Sequence, residues 1–291
     1  GIKPIAVLNA IMDVLNKRGV AIQYQQNWTG WNTNHDLVFN IDSAVQSDYS
    51  VFAMGGGSWK ITGSDGSWLD LFHKKEVEVV PFKASNCAYR VNWNIDFIDT
   101  FEGHPLKNIA ISCRDKSQKG EMVITRFGLE GNAIYAISPQ IRKELNNQQK
   151  ATVFLDLKPT LAYDDVLQKI KKSTLKKTSE KLQKELKLNP AQIGLLKIYL
   201  SKETYLNPEL LAQNIKNLPI EITGSALLDE AISTTGGIKL NALDENFQLK
   251  MMKNHYCIGE MLDLDAPTGG YLLQSCFSMG VHLARHLNAI S

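Results

Sequence analysis

The sequence has little of what marks several large classes of protein. Its 291 residues include four cysteines, none of them in a CxxC pair. Neither a zinc ribbon nor a redox dithiol is therefore indicated, and we expect the reduced thiols of a cytoplasmic protein. No apolar run approaches the roughly 20 residues of a membrane-spanning helix. Lys and Arg (32) balance Asp and Glu (30), so no overall basic charge points to nucleic acid.

Familiar catalytic patterns are missing as well. The six histidines form no HExxH, and there is no G-x-S-x-G elbow and no Walker loop. His282 and His286 have a spacing that can hold a metal on a helix, but surface histidines explain them better, so we assign no metal site. The catalytic residues are unknown at this stage, and a bound cofactor would have to supply any redox chemistry.

The hydrophobic periodicity predicts a chain of mixed helices and strands. Apolar residues recur every three to four positions from Ile5 to Leu15, which predicts a first helix that ends near Gly19. Alternation predicts strands at 20–24, at Leu37, Phe39 and Ile41 after a turn at 32–36, and at 49–54. From about 77 to 157 the pattern predicts a compact β-domain, with short strands at 77–82, 88–93, 109–113, 122–125 and 151–157.

A helical region is predicted at 163–218. Asn189-Pro190 and Asn207-Pro208 are typical helix starts, with Asn as the N-cap and Pro as the first helical residue. Eight lysines lie between positions 169 and 187. They fit a solvated helix face better than a nucleic-acid site, because no aromatic side chain interleaves them. A last helix is predicted over about 271–288.

Glycines and polar residues are concentrated near the C-terminus. Three segments occur in order: Thr234-Thr235-Gly236-Gly237, Tyr256-Cys257-Ile258-Gly259-Glu260, and Pro267-Thr268-Gly269-Gly270-Tyr271. Glycine lets a backbone approach a ligand closely, and a helix start offers free N–H groups. A carboxylate at a strand end can accept hydrogen bonds from sugar hydroxyls. Together these features suit a nucleotide-type cofactor, whereas each Gly-Gly alone fits a plain tight turn.

These three segments resemble the C-terminal FAD motif of a bacterial flavoprotein family, the NAD(FAD)-utilizing dehydrogenases, which contains aminoacetone-oxidase-like proteins. Ala53-Met54-Gly55-Gly56-Gly57 and Gly63-Ser64-Asp65-Gly66 resemble two further segments of that family. The resemblance runs from near residue 1 to the end. It implies an α/β class (α+β overall) with a partial FAD/NAD(P)-binding Rossmann-like domain of the glutathione-reductase type, an inserted β-domain and a small helical domain.

The resemblance also implies residues that contact the cofactor. Gly259 and Glu260 would meet the ribityl chain or the pyrophosphate. The turn that faces the isoalloxazine would be formed by Gly269, Gly270 and Tyr271, with Thr268 and Leu272 as further cofactor contacts. The remaining implied contacts are Gly55, Gly56 and Gly57 beside the pyrophosphate, and Trp28 near adenine. The alternatives are a structural carboxylate at Glu260, plain glycine turns, an ordinary helix start and a half-buried Trp28.

One part of the family pattern is missing. No G-x-G-x-x-G follows a strand near the start, and no ribose-binding acidic residue lies about 20 residues further on. We therefore expect this chain to lack the βαβ unit that holds the ADP part of FAD in family members. By resemblance, the remaining parts are a residual FAD-binding domain (1–84 and 238–291), a β-domain (85–158 and 219–237) and a helical insertion (159–218).

The segment from Thr125 to Ala133 resembles the loop on the substrate side of the family. Arg126, Glu130 and Asn132 stand where the family pattern has His, Ser and Pro. Because of these changes, no substrate can be carried over from characterised relatives. Arg126 and Glu130 either face the substrate or form a surface ion pair, and the ion pair is the simpler interpretation.

Two hypotheses for the function follow. In the first, the chain is a fragment of an FAD-dependent oxidoreductase with a small-molecule substrate and NAD(P)H as a candidate electron donor; alone, it would bind FAD weakly and be inactive. In the second, it is a non-catalytic scaffold derived from a flavoprotein, which binds a partner. Neither nucleic acid nor a membrane is an expected partner, and the expected location is the cytoplasm. Self-association is expected through the face that the missing unit would expose.

Overall fold

The computed structural model describes residues 3–40 and 44–291. The chain divides into two compact units, Gly1–Tyr49 and Ser50–Ser291. This boundary falls inside the stretch that the sequence assigns to one residual FAD-binding domain, and the predicted three-part division stays a prediction.

The first unit contains one helix and a small antiparallel sheet. The helix α1 spans Pro4–Lys17, and the sheet has the order β1 (Trp28–Trp31), β2 (Leu37–Phe39) and β3 (Ala44–Val45). The predicted helix end is confirmed, because Arg18 caps α1 and Gly19 has a φ of +74°. Asn32 forms the predicted turn by accepting hydrogen bonds from the backbone N–H groups of Asn34 and Asp36. Ile41 lies outside the described residues.

The strand predicted at 20–24 is wrong. These residues have neither helical nor strand structure and are mostly exposed. An extended segment becomes a strand only when a neighbouring strand pairs with its backbone N–H and C=O groups. In the described part of the chain no strand pairs with this segment, so its apolar composition alone does not make it a strand.

The second unit carries the rest of the regular structure. Its strands are β4 (Ser50–Phe52), β5 (Val79–Ser85), β6 (Tyr89–Arg90), β7 (Pro105–Cys113), β8 (Lys116–Ile124), β9 (Gly128–Glu130), β10 (Ala151–Asp156), β11 (Leu218–Ile222), β12 (Gly224–Ser225), β13 (Ser233–Ile238) and β14 (His255–Cys257). Its α-helices are α2 (Trp68–Lys74), α3 (Ile95–Phe101), α4 (Asn132–Tyr135), α5 (Ser138–Gln148), α6 (Tyr163–Lys172), α7 (Thr178–Glu185), α8 (Pro190–Tyr199), α9 (Lys202–Leu206), α10 (Pro208–Lys216) and α11 (Tyr271–Ile290).

The largest sheet of the described residues has seven strands in the order β11-β10-β7-β8-β9-β6-β12, and each neighbouring pair is antiparallel. Along β10 the buried residues alternate, as expected for a strand with one face in the core. Ala151, Val153 and Leu155 pair with Ile222, Ile220 and Leu218 of β11, all of them buried. The predicted β-rich stretch is thus confirmed, but α3, α4 and α5 interrupt it and were not predicted.

The helical region at 163–218 packs on the same core as the sheet. Val166, Leu196 and Ile215, from α6, α8 and α10, belong to the buried cluster that includes the sheet residues. The predicted start of α8 is confirmed: Asn189 Oδ1 accepts a hydrogen bond from the Gln192 backbone N–H (2.8 Å), and Gln192 Oε1 accepts one from the Asn189 backbone N–H (2.9 Å). This reciprocal pair is a capping box.

Two small strand pairs connect the large sheet to the C-terminal segment. The strands β5 and β13 form an antiparallel ribbon, and β4 and β14 pair in parallel. The C-terminal residues 263–270 then lead into α11. No helix of the described residues has both the length and the apolar character to cross a bilayer.

An apolar stripe runs along the exposed side of α11. Leu273, Phe277 and Val281 are spaced four residues apart, and each side chain is 51–60% exposed. Residues four apart lie on one helix face, so the three form a continuous strip. Contiguous exposed apolar surface of this kind usually contacts another molecule.

The buried face of β11 should dominate the stability of the second unit. Ile220 is fully buried against β10, so Ile220→Ala should lower the unfolding free energy by about 2–5 kcal/mol. Ile61, 92% exposed, supplies the control, and Ile61→Ala should change it by less than about 0.5 kcal/mol. Urea denaturation followed by circular dichroism measures both, and equal effects of the two variants would contradict the assignment of the core.

We propose that the stripe on α11 takes part in the self-association expected of this chain. We expect light scattering to show a mass that rises with protein concentration, and Phe277→Lys should reduce that rise because it places a charge in the strip. Leu227, 70% exposed and distant in sequence, provides the control Leu227→Lys. A wild-type monomer at every concentration would refute this expectation.

Candidate functional site

Two acidic side chains attach the C-terminal segment to β13. Glu260 Oε1 accepts hydrogen bonds from the backbone N–H of Thr234 (3.1 Å) and from its hydroxyl (3.4 Å). Asp263 Oδ1 accepts one from the Gly236 backbone N–H (3.1 Å). Hydrogen bonds to a charged acceptor are stronger than neutral ones, so these two carboxylates set the position of residues 259–263 against the strand.

Glycines allow the backbone segments around β13 to approach closely. A Cβ atom on Gly237 would lie 2.2 Å from the Met261 carbonyl oxygen, and one on Gly236 would lie 2.5 Å from that of Pro81. Both glycines have φ near +100°, which L-residues with side chains rarely adopt. A Cβ on Gly56 would lie 2.1 Å from Thr234 Oγ1. The turn at Gly56, the strand β13 and the residues that follow Gly259 therefore meet at this point.

A polar network attaches the loop before α11 to the end of β5. Asn86 Nδ2 donates hydrogen bonds to Ser233 Oγ and to the Ala266 carbonyl oxygen, both 2.8 Å long. Asp265 accepts a hydrogen bond from Ser85 Oγ (2.7 Å) and forms an ion pair with the guanidinium of Arg142, which is largely buried. These contacts hold residues 265–270 between the ribbon and α5.

This loop separates two cavities. The first has a volume of about 320 Å³ and is lined by Glu260, Gly270, Leu272, Leu273 and Cys276, among others; it is here called the cofactor cavity because residues predicted to contact a cofactor line it. The second, here called the polar cleft, has a volume of about 670 Å³ and is lined by residues of β8, α4 and α5. Asn86 and residues 266–269 line both, so a single stretch of backbone is the wall between them.

The start of α11 lies at the cofactor cavity. Gly269 and Gly270 have φ of +107° and +90°, and no atom lies within 4 Å of a Cβ position on Gly270. No side chain caps the helix, and its first turn carries no acidic residue. A helix of 20 residues that begins in this way presents free N–H groups and the positive end of its dipole. Negative charge in the cavity would be stabilised there.

Cys276 places a thiol in the same cavity. It is half-buried, whereas Cys87, Cys113 and Cys257 are buried. Burial and the nearby Glu260 carboxylate raise the pKa of the Cys276 thiol above its ordinary value. The thiol is thus neutral at pH 7 and less reactive than an ordinary surface cysteine.

The structure brings together part of the predicted site. Glu260, Thr268, Gly269, Gly270 and Leu272 line the cofactor cavity, and Tyr271 lines the polar cleft. Gly259 has a φ of +83°, and a Cβ there would lie 3.8 Å from Cys276 Sγ. The cofactor contacts of these residues stay predictions.

The other predicted contacts are the three glycines of the turn at 55–57 and Trp28. A Cβ on Gly57 would lie 3.1 Å from the Phe82 ring, and one on Gly55 would lie 2.8 Å from Ser64 Oγ, so with Gly56 this turn packs against protein atoms. Trp28 belongs to the first unit, where its ring packs edge-on against Trp31 at a centroid distance of 4.6 Å. The assignments of these four residues to FAD also stay predictions.

Arg126 has partners on the protein surface. Its guanidinium forms ion pairs with Asp99 of α3 and with Glu102, the C-cap of that helix, 2.9 Å from each, and the Arg126 side chain is 59% exposed. This geometry supports the surface interpretation, although Asp99 and Glu102 rather than Glu130 are the partners. Asn132, from the same segment, lines the polar cleft.

The paired histidines of α11 contact different neighbours. His282 Nε2 lies 3.1 Å from Asn246 Oδ1, and the His286 ring packs near Tyr256. In the described ranges, 3–40 and 44–291, no three His, Cys, Asp or Glu side chains are grouped as a metal site would require.

The family model described as HI0933-like protein Rossmann domain matches residues 3–286 of the chain. The chain belongs to this family. The HI0933-like family comprises FAD-binding NAD(FAD)-utilizing dehydrogenases, and the predicted mixed α/β class with a Rossmann-like domain is confirmed. FAD is therefore the cofactor whose parts are compared below with the lining and volume of the two cavities.

Sequence reasoning missed most of the polar cleft. Lys116 and Gln118 lie at the start of β8, and Ser138 and Gln140 lie in the first turn of α5. None belongs to a recognisable motif, and α5 itself was not predicted. Arg142 was missed for the same reason. Only the pairing of β8 within the sheet and the packing of α5 bring these residues to one place.

The crowding at Gly56 should be measurable. Gly56→Ala places a methyl group against Thr234 Oγ1 and the Glu260 carboxylate, so we expect a loss of about 1–3 kcal/mol of stability. Gly280 lies within α11 with no atom near its Cβ position, and Gly280→Ala should instead stabilise by about 0.5–1 kcal/mol. Melting temperatures of both variants test this, and a Gly56→Ala protein as stable as wild type would contradict it.

Proposed function

We propose that this chain is part of an FAD-dependent oxidoreductase and that its cofactor cavity holds the flavin end of FAD. Membership in the HI0933-like family supports FAD as the cofactor. The observation that carries the assignment to this cavity is the uncapped start of α11, where Gly269 and Gly270 leave the backbone free of side chains.

The donor set of the cavity fits a flavin. Its apolar residues, among them Ile232, Leu272 and Leu273, suit an aromatic ring system, and Asn86, Ser233 and Glu260 add polar groups for hydroxyls. One Glu260 oxygen already accepts hydrogen bonds from Thr234, and the other would accept a hydroxyl hydrogen bond. The volume of about 320 Å³ lies at the small end of the about 300–1,000 Å³ typical of ligand sites, so it suits part of the dinucleotide.

The residues of the chain would bind and orient the cofactor. FAD, when bound, supplies the two-electron redox chemistry. The N–H groups at the start of α11 would stabilise negative charge, which favours the reduced cofactor. Arg142 and Asn86 fix the loop 265–270. The loop would therefore hold the cofactor cavity and the polar cleft in a constant position relative to each other.

The lack of a G-x-G-x-x-G in this sequence leads us to propose weak FAD binding, because that motif holds the pyrophosphate in Rossmann-like domains. For turnover, the chain would then need a pyrophosphate-binding element of the kind that its sequence lacks. The use of NAD(P)H as electron donor stays a proposal. The competing scaffold hypothesis gains no support from the family match, and no further observation favours it.

The lysines of α6 and α7 lie on a solvated face. Lys171 pairs with Glu209 and Lys177 with Glu180, and all four side chains are 43–77% exposed. These ion pairs support our proposal that the region is not a nucleic-acid site.

Cys276 provides the test of the cofactor cavity. In the free chain, iodoacetamide should modify Cys276 before the three buried cysteines, at a rate that still rises above pH 9 because the thiol pKa is raised. Excess FAD or FMN should slow this reaction, whereas ADP should not, since only the flavin end reaches the cavity. Mass spectrometry of the alkylated peptides gives the rates, with Cys276→Ser as the control.

Two results would count against parts of this proposal. If excess FAD leaves the alkylation rate of Cys276 unchanged, or if ADP protects equally well, the flavin does not lie in this cavity. If a stoichiometric flavin absorbance survives desalting, the assignment can stand but the expected weak binding is wrong.

A further inference from the structure

The polar cleft has the size and lining of a small-molecule site. Its volume of about 670 Å³ falls well within the range of about 300–1,000 Å³ typical of ligand pockets. Its lining is rich in neutral hydrogen-bonding groups, contributed by Asn86, Gln118, Asn132, Tyr135, Ser138 and Gln140. Burial raises the pKa of Tyr135, so its phenol stays protonated and can donate a hydrogen bond.

Two residues in the wall of this cleft, Ser138 and Gln140, each carry a buried polar atom that has no partner among the described residues. Ser138 is 1% exposed, and its hydroxyl makes no hydrogen bond to any described residue. The Oε1 atom of Gln140, two residues further along α5, is also buried and unpaired. Buried polar groups in folded proteins are almost always paired. The two therefore mark a place where a ligand would supply the missing partners: an acceptor for Ser138 and a donor for Gln140.

The charge balance of the cleft is positive. Asp265, the carboxylate among its described lining residues, is neutralised by its ion pair with Arg142. Lys116 lies in the lining and takes part in none of the ion pairs of the described residues. The start of α5 lies in the same wall, and its first turn has no acidic residue, so its dipole adds positive potential. An anionic group is favoured over a cationic one.

We propose that the polar cleft binds a small carboxylate that carries a hydroxyl group, as the substrate side of the proposed flavoenzyme. The carboxylate would accept hydrogen bonds from Ser138 Oγ and from the Lys116 ammonium group, and the hydroxyl would donate to Gln140 Oε1. The proposal rests on the proposed function for the role of the ligand, but its binding can be tested separately. The shared wall at residues 266–269 places such a ligand beside the cofactor cavity.

Lactate is a suitable probe, because its methyl protons report binding by saturation-transfer NMR. Lactamide has the same shape without the charge, and 1-amino-2-propanol replaces the carboxylate by a cationic group. We expect saturable binding of lactate and at least about tenfold weaker binding of the other two. If lactamide or the amino alcohol binds as well as lactate, or if no lactate binding is seen, the proposal is overturned.

Single substitutions locate the binding to the cleft. Ser138→Ala should weaken lactate binding about tenfold without lowering the melting temperature, because the removed hydroxyl has no partner to lose. Lys116→Gln should weaken it about threefold, as expected for an exposed charge. Lys119 lies on the same strand but outside the cleft, so Lys119→Gln should leave the affinity unchanged. Equal affinities of wild type and Ser138→Ala would overturn the assignment.

The alkylation of Cys276 separates this proposal from the function on which it rests. If FAD protects Cys276 while lactate does not bind, the flavin assignment stands and the carboxylate proposal fails. If lactate binds and responds to Ser138→Ala while FAD gives no protection, the cleft is a carboxylate site and the proposed flavin function fails.

Discussion

The close approach of three backbone segments beside β13 is the constraint on which the rest of the site depends. The segments are the turn at Gly56, the strand itself and the residues that follow Gly259. They approach to distances at which a single Cβ would overlap a neighbouring atom. Glycine removes that overlap, and Glu260 and Asp263 then bind the N–H groups of Thr234 and Gly236. Removal of side chains makes the approach geometrically feasible, and charge-assisted hydrogen bonds fix it.

This attachment determines where the loop before α11 must run. Once residues 259–263 are held on β13, the next residues reach the end of β5, where Asn86 binds the Ala266 carbonyl oxygen and Arg142 binds Asp265. The loop thereby becomes a wall with one cavity on each side. A cofactor at the start of α11 and a ligand in the polar cleft would contact the same short stretch of backbone.

Local signals predicted the elements that depend on near neighbours in sequence. The Asn189 and Asn207 caps are confirmed because each needs only a hydrogen bond to a residue two or three positions ahead. The strand at 20–24 failed because a strand depends on a distant partner that composition does not specify. The helices α3 and α5 were overlooked because they lie among strands, although Asn94 caps α3 in the usual way.

The sequence alone determined the family, the glycine-rich C-terminal segments and the order of many of the strands and helices, since these depend on residue types and their spacing. Only the tertiary structure decided that Gly56 faces Thr234, that Arg142 meets Asp265, and that Ser138 and Lys116 line one cleft. Those residues are separated by 22 to 178 positions and carry no shared pattern. Their proximity follows from strand pairing and helix packing, which are set by burial of the whole core rather than by local spacing.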